Sequence, residues 1–382
     1  MSLIAPNGDP TRIVADSVRQ GKPIIVVSMN YRVNVFAFGD NTPSSDVNLA
    51  LEDQKLAIAW VRKHIRGFGG DEDNITLAGE SAGAVYAHAL MVLGTPVRRG
   101  ILMSGSLFLS PPLPRERGQG LIDRFASVAK ESGKAVSLQD AKVETLLDCV
   151  KKCKAVSMWL QMTDEFKGWS ERMENVETLM VGDVEYESVI WRNGIETMTA
   201  SEIDAAFSLV QNKDHREQLR NAYCIDVDHT TASKLGALDF INDTRFAMPS
   251  QDIAEKWRTA GRPVYQYIVD QANPWQASAR SHHALDLVLL FGGYDISFNH
   301  HAEEVGKAMR SDWIEFINGT EPWDPKARMA FGPAGKSEQL QDIKHYASRR
   351  RMKQWDVLKR IDAGDVVKVF GALAAGKISF SN

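Results

Sequence analysis

The sequence predicts an α/β protein in which helices cover both faces of a mostly parallel central sheet. Three observations predict it. Short runs that are apolar at nearly every position, and rich in β-branched residues, alternate with stretches of helical period; strands buried on both faces by crossover helices read this way. Turn residues, often glycine, separate the two kinds of segment. No internal repeat and no linker rich in Pro, Gly or Ser divides the 382 residues. The chain therefore reads as one domain, 1–382, with a helical insertion at about 111–177.

Pro23–Met29 is the first apolar run and is expected as a strand buried on both faces. Val33–Phe38 is a second short apolar run. Asn48–Ile65 fits a helix, because Leu49, Leu56, Trp60, Val61 and Ile65 fall largely on one side of a 3.6-residue wheel. Gly67-Phe68-Gly69-Gly70-Asp71 ends it. Ile75–Ala78 follows as a strand, then a turn at Ser81, then a helix from about Ala82 to Leu93, and Gly100–Met103 is the next strand. The middle is mostly helical, with charged helices around Gln119–Glu131 and Leu138–Lys152. Strand character returns at Thr178–Val181 and at Pro263–Val269. Between them a helix starts at Ser201, with Glu202 and Asp204 in its first turn. A final helix is expected over Ala302–Ile317, ended by Asn318-Gly319.

Composition narrows the function classes. At 44% hydrophobic, 25% charged and a net charge of -4, the chain shows no basic character suited to nucleic acid or an anionic membrane. No apolar run approaches the roughly 20 residues that span a bilayer; Leu285–Phe291 is interrupted by Asp286 and stops at Gly292-Gly293. Cys149 and Cys153 share a helix face, but no histidine or further cysteine nearby completes a tetrahedral metal site, so they read as structural thiols. No metal cluster, phosphate loop or dinucleotide fingerprint appears, and no cofactor is expected. Trp159, Trp169, Trp191 and Trp275 read as core more readily than as pocket walls. The first six residues lack the basic and apolar regions of a secretion signal. As written the chain is expected in the cytosol, with secretion following only from a longer N-terminus.

Gly79-Glu80-Ser81-Ala82-Gly83 carries the chemistry. A serine hydroxyl becomes a useful nucleophile when a base takes its proton and a sharp strand-to-helix turn presents its oxygen. The apolar strand before Ser81 and the alanine-rich helix after it supply that setting, and the Ala82 N–H at the helix start is placed to serve an oxyanion. Around it stand Asn30-Tyr31-Arg32, Leu51-Glu52-Asp53-Gln54, Ala59-Trp60-Val61, Phe68-Gly69-Gly70-Asp71 and Met103-Ser104-Gly105-Ser106. In this order and spacing they resemble the type-B carboxylesterase family, which includes cholinesterases and fungal lipases and esterases. The resemblance implies an α/β-hydrolase fold and hydrolysis of small-molecule esters through an acyl-enzyme.

It also implies a base and an acid, in the order serine, acid, histidine. The family's histidine opens a stretch matched by His283-Ala284-Leu285-Asp286 through Phe291-Gly292, with Ala284 where glycine is usual. His282 is a rival one place out of register, and His300 and His301 read as surface. Family register puts the acid on Glu187, with Asp183 and Glu185 as close competitors on the same loop. Ser104 is a second hydroxyl near the site, read as structural. The pattern breaks in one place: residues 1–29 hold only Gly8 and Gly21 and no histidine, so the family's HGGG-like oxyanion loop is not found there. The expectation is an N-terminally truncated esterase lacking edge strands of the sheet, its activity impaired. The alternative is a degenerate member kept as a binding or interaction protein. Oligomeric state is left open.

Overall fold

The computed structural model describes residues 8–38, 47–131, 138, 140–153 and 160–374. Its centre is a six-stranded sheet whose spatial order follows chain order: β1 (Thr76–Glu80), β2 (Arg99–Met103), β3 (Thr178–Val184), β4 (Val264–Val269), β5 (Arg328–Phe331) and β6 (Ser337–Leu340). The first five are parallel, and β6 returns antiparallel to β5. Parallel neighbours need long crossovers. Ala82–Val92 lies between β1 and β2, Met248–Thr259 precedes β4, and His300–Asn318 lies between β4 and β5.

β2 and β4 are buried at every residue, which explains why their sequences are apolar without alternation. One face of the sheet packs Ile101, Met180 and Tyr267 against Leu289, Met309 and Ile314. The other packs Leu102, Leu179 and Val181 against Leu90, Ala89 and Trp257. At ~1.5–3 kcal/mol for each fully buried large aliphatic side chain, these two layers hold the strand ends in fixed relation. A third cluster, with Ile203, Phe207, Phe240 and Trp355, joins the helices beyond β3 to those near the C-terminus. Local sequence signals set the helix ends: Thr199 and Glu202 form a capping box on Ala200–Phe207, and Gly319 closes His300–Asn318 at φ 83°.

The α/β class with helices on both faces is what the structure shows, but several elements depart from the sequence reading. Pro23–Met29 forms no strand; Ile25, Val26 and Val27 are exposed. Its composition demands a pairing partner that no described residue supplies. Val35–Phe38 is a short helix. The helix Leu49–His64 forms, yet Leu56 and Trp60 of its expected core face are exposed, while Ala50, Leu51, Gln54 and Ile58 are buried. In the middle, Arg115–Glu131 and Val143–Lys152 are helical, whereas 132–137, 139 and 154–159, with Trp159, lie outside the described residues. Trp191 is core, but Trp275 is exposed against Tyr294 and Phe298. His300–Asn318 is not the last helix. β5, β6 and the helices Ile343–Ala347, Met352–Leu358 and Ala363–Ala374 follow it.

Candidate active site

Ser81 sits at the C-terminal end of β1, between that strand and the helix Ala82–Val92. Its φ of 52° and ψ of -116° lie where L-residues are strained, so the turn is sharp and the side chain projects from it. Two glycines make the bend possible. A Cβ on Gly79 would stand 2.2 Å from the backbone of Gly83, and one on Gly105 would stand 2.7 Å from the Ser81 carbonyl. A hydrogen bond from Ser81 N–H to the Met103 carbonyl, 2.9 Å, ties the turn to β2.

The chain returns to this point from two directions. β3 ends at Val184, and a 3₁₀ turn, Glu187–Trp191, follows. The loop after β4 brings in His283, just before the helix Leu285–Phe291. His283 N–H donates to the Tyr186 carbonyl, 3.2 Å, which fixes the two loops to each other. Ala284, in place of the family's glycine, takes φ 66° to make the bend. An alanine held there carries a conformational cost of about 1–2 kcal/mol that glycine would not.

These loops bring three side chains into line. His283 Nε2 is 2.8 Å from Ser81 Oγ, and His283 Nδ1 is 2.6 Å from Glu187 Oε2. Glu187 is fully buried; its Oε1 accepts from the Val184 N–H at 2.8 Å, and its own N–H donates to Asn242 Oδ1 at 2.7 Å. The ring of Phe246 meets the imidazole edge-on at 5.5 Å. Ala82 begins the helix, where its N–H is among those without an intrahelical acceptor.

The rival residues are placed elsewhere. Asp183 pairs with Arg350 Nε at 2.7 Å, and Glu185 with Arg280 Nε at 2.9 Å. His282 Nε2 contacts Asn273 Nδ2 at 2.8 Å, while His300 and His301 are exposed on a helix start. Ser104 is buried, its N–H bonded to the Gly182 carbonyl at 2.9 Å. Among the described residues, no group of three or more His, Cys, Asp or Glu is arranged to hold a metal ion. Nor is any described helix long and apolar enough to cross a membrane.

Two carboxyls at the site had no role assigned from the sequence. Glu80 Oε1 lies 3.4 Å from His283 Nε2 and has no hydrogen-bond partner. Asp286, fully buried, accepts a long 3.4 Å bond from Ser104 Oγ. Both were visible in the motifs, Glu80 inside the pentapeptide and Asp286 as the acidic residue three after His283. Burial raises the Glu80 carboxyl well above the usual range, against the pull of the His283 charge. Burial and the neighbouring Glu187 charge raise Asp286 likewise. Burial alone would lower His283, but the Glu80 charge and the Glu187 hydrogen bond outweigh it and raise the imidazole to about 9.

Against this geometry stand the comparisons with known proteins. A family model described as the carboxylesterase family matches residues 7–178 and 162–357. The chain belongs to the carboxylesterase family. Lipase 3 of Yarrowia lipolytica is 28% identical over 381 residues, covering 96% of this chain and 74% of its own length. The protein named inactive carboxylesterase-like protein VdtD, of Byssochlamys spectabilis, is 39% identical over 151 residues, 38% of this chain and 25% of that protein. This chain thus spans about three quarters of the first relative, and its match to the second is confined to a quarter of it. Among solved structures, the Geobacillus stearothermophilus carboxylesterase EST55 superposes with a TM-score of 0.70 at 21% identity, covering 92% of this chain and 79% of that one. That likeness establishes the α/β-hydrolase fold.

Proposed function

We propose that this member of a family of esterase-type hydrolases cleaves carboxylic esters of small molecules through an acyl-enzyme on Ser81. One observation carries the reading: a single imidazole lies within hydrogen-bond reach of Ser81 Oγ on one nitrogen and of a buried carboxylate on the other. As Ser81 Oγ attacks the ester carbonyl carbon, His283 Nε2 takes the hydroxyl proton, and Glu187 holds the Nδ1–H tautomer and stabilises the imidazolium. The negative oxygen of the tetrahedral intermediate receives the Ala82 N–H. Collapse expels the alcohol, which takes the proton from His283. Water, deprotonated by the same nitrogen, then releases the acid and restores Ser81.

A fluorophosphonate probe tests the nucleophile. Labelling of the folded protein that disappears in Ser81→Ala supports the reading, and its absence from both sinks it. The other reading, a non-catalytic interaction protein, draws on the relative named inactive. Ser81-dependent turnover of a short p-nitrophenyl ester excludes it.

A further inference from the structure

Arg328 is the first residue of β5, whereas Ser81 and the His283 loop follow the C-terminal ends of β1 and β4. The two places lie toward opposite edges of the sheet. Arg328 stands directly beside Gln266 of β4 in the parallel register, so both side chains leave the same face. The helix Met248–Thr259 covers that face through Ile253, Ala254 and Trp257, and brings in Arg258. Arg258 Nη2 donates to Gln266 Oε1 at 3.0 Å. Gln266 Nε2 donates in turn to Gln251 Oε1 at 3.0 Å and to the Tyr346 hydroxyl at 3.3 Å, and the Arg328 guanidinium lies 5.0 Å over the Tyr346 ring. These partners are all neutral. Arg258 Nε, Arg258 Nη1 and Arg328 Nε are buried and make no hydrogen bond. Among the described residues, Glu255 is the one carboxylate within ion-pair reach of either arginine. It lies 3.6 Å from Arg258 Nη1 and 3.9 Å from Arg328 Nη2, with its side chain 57% exposed. Burial, followed by the Arg328 charge, lowers Arg258 to about 10, and burial lowers Arg328 too. Both guanidiniums therefore stay charged at neutral pH.

We infer that Arg258 and Arg328 form a binding site for one phosphate-type dianion, entered beside Glu255. The ligand follows from charge and from the donors left over. Two like charges held together out of water repel each other, and water accepting from their N–H groups leaves that charge uncompensated. A carboxylate brings one charge and two oxygens. Glu255, three residues from Arg258 on the same helix, already offers one, yet it stays beyond hydrogen-bond length and more than half exposed. A phosphate dianion matches both guanidinium charges and carries enough oxygens to accept from two side chains at once. A polyanion fits poorly, because the Arg328 side chain is only 9% exposed and the chain has a net charge of -4. Once seated, the anion ties β5 to the helix Met248–Thr259, and Glu255 is the group that opposes its entry. None of this depends on the role proposed for Ser81.

Thermal unfolding of the whole chain, in a buffer free of phosphate, tests the site. Inorganic phosphate and glycerol phosphate are titrated in parallel, against sodium chloride at matched ionic strength. A ligand that binds only the folded state raises Tm with its concentration, and the dependence gives an apparent Kd. The expected result is a rise with at least one phosphate probe that chloride does not reproduce. Whichever probe binds more tightly shows whether the group is taken free or on a small organic carrier. Arg328→Gln is expected to weaken the apparent affinity by about tenfold or more, since it removes one of the two charges. Glu255→Gln removes the opposing charge from an exposed side chain and is expected to tighten it by about threefold or more. If Arg328→Gln does not fold, the comparison of the parent with Glu255→Gln decides. Phosphate effects no larger than those of chloride, undiminished affinity in folded Arg328→Gln, or no gain in Glu255→Gln overturns the proposal.

Discussion

Glu80 Oε1 stands 3.4 Å from His283 Nε2, the same nitrogen that meets Ser81 Oγ at 2.8 Å. The proposed base thus faces the hydroxyl it deprotonates and a second buried carboxyl at once. Only the neutral imidazole accepts the serine proton, so whatever raises its pKa moves the onset of activity to higher pH. Burial works against protonation here, but the Glu80 charge, followed by Glu187, raises His283 to about 9. Glu80→Gln removes the leading upward influence. The acid limb of the kcat/KM profile for a p-nitrophenyl ester is expected to move to lower pH in this variant. An unmoved limb, or one displaced upward, shows that Glu80 does not govern the imidazole.

In the proposed mechanism Glu187 acts only through His283, by holding the proton on Nδ1. Its Oε2 accepts from His283 Nδ1 at 2.6 Å while Oε1 is anchored by the Val184 N–H. Glu187→Gln keeps the size and the anchor but offers Nδ1 an amide able to donate, which favours the tautomer with its proton on Nε2. Turnover is expected to fall by about 10³–10⁴-fold, while labelling by a fluorophosphonate slows and still depends on Ser81. Single-turnover kinetics would check it. Activity within tenfold of the parent would place the working carboxylate elsewhere, with Asp286 the next candidate.

What was legible in the sequence follows the distance over which each feature is encoded. The Ser81 turn is five consecutive residues between a strand and a helix, and it was readable from those alone. Glu187 and His283 lie 96 residues apart; the residues themselves left Asp183, Glu185 and His282 open, and family register was needed to choose. The structure separates them by partner, because Arg350, Arg280 and Asn273 occupy the rivals. The contact of Glu80 with His283 could not be seen, since it requires β1 and the loop after β4 to converge at one sheet edge. Pro23–Met29 was misread for a different reason. An apolar, β-branched run states that both faces must be covered, but it does not state which backbone pairs with it. The exposed Leu56 and Trp60 follow the same logic.

The two glycines flanking Ser81 are not equivalent. A Cβ at Gly79 would meet backbone atoms of Gly83 at 2.2 Å and of Ala84 at 2.7 Å, whereas one at Gly83 meets nothing within 4 Å. Backbone in a packed turn cannot retreat as a flexible side chain can. Gly79→Ala is expected to cost about 3 kcal/mol or more, by denaturant titration, or to prevent folding. Gly83→Ala lies in the first turn of Ala82–Val92 and is expected to raise stability by about 0.5 kcal/mol. Equal effects from the two would contradict the close approach at Gly79.

Asp183, expected on the same loop as Glu187, instead lies within β3 and belongs to the scaffold, and its own pairing yields the last prediction. It is fully buried and held by Arg350 Nε at 2.7 Å, while Arg350 Nη1 reaches Asp270 at 2.9 Å. Burial pushes Asp183 up to about 7 although Arg350 opposes the rise. A carboxyl raised above its unfolded value favours the folded state most when protonated. That contribution is complete below the unfolded pKa and lost as pH rises through about 7. Arg350→Met strips the opposing charge and leaves Asp183 buried without it, at a cost of about 3–5 kcal/mol. The loss is expected to be larger above pH 7 than below, because protonation relieves the orphaned carboxylate. Asp183→Asn in the same background should recover much of it. Denaturant unfolding of the single and double variants on either side of neutrality measures both claims, and a pH-independent loss without rescue would show that Arg350 acts through Asp270 instead.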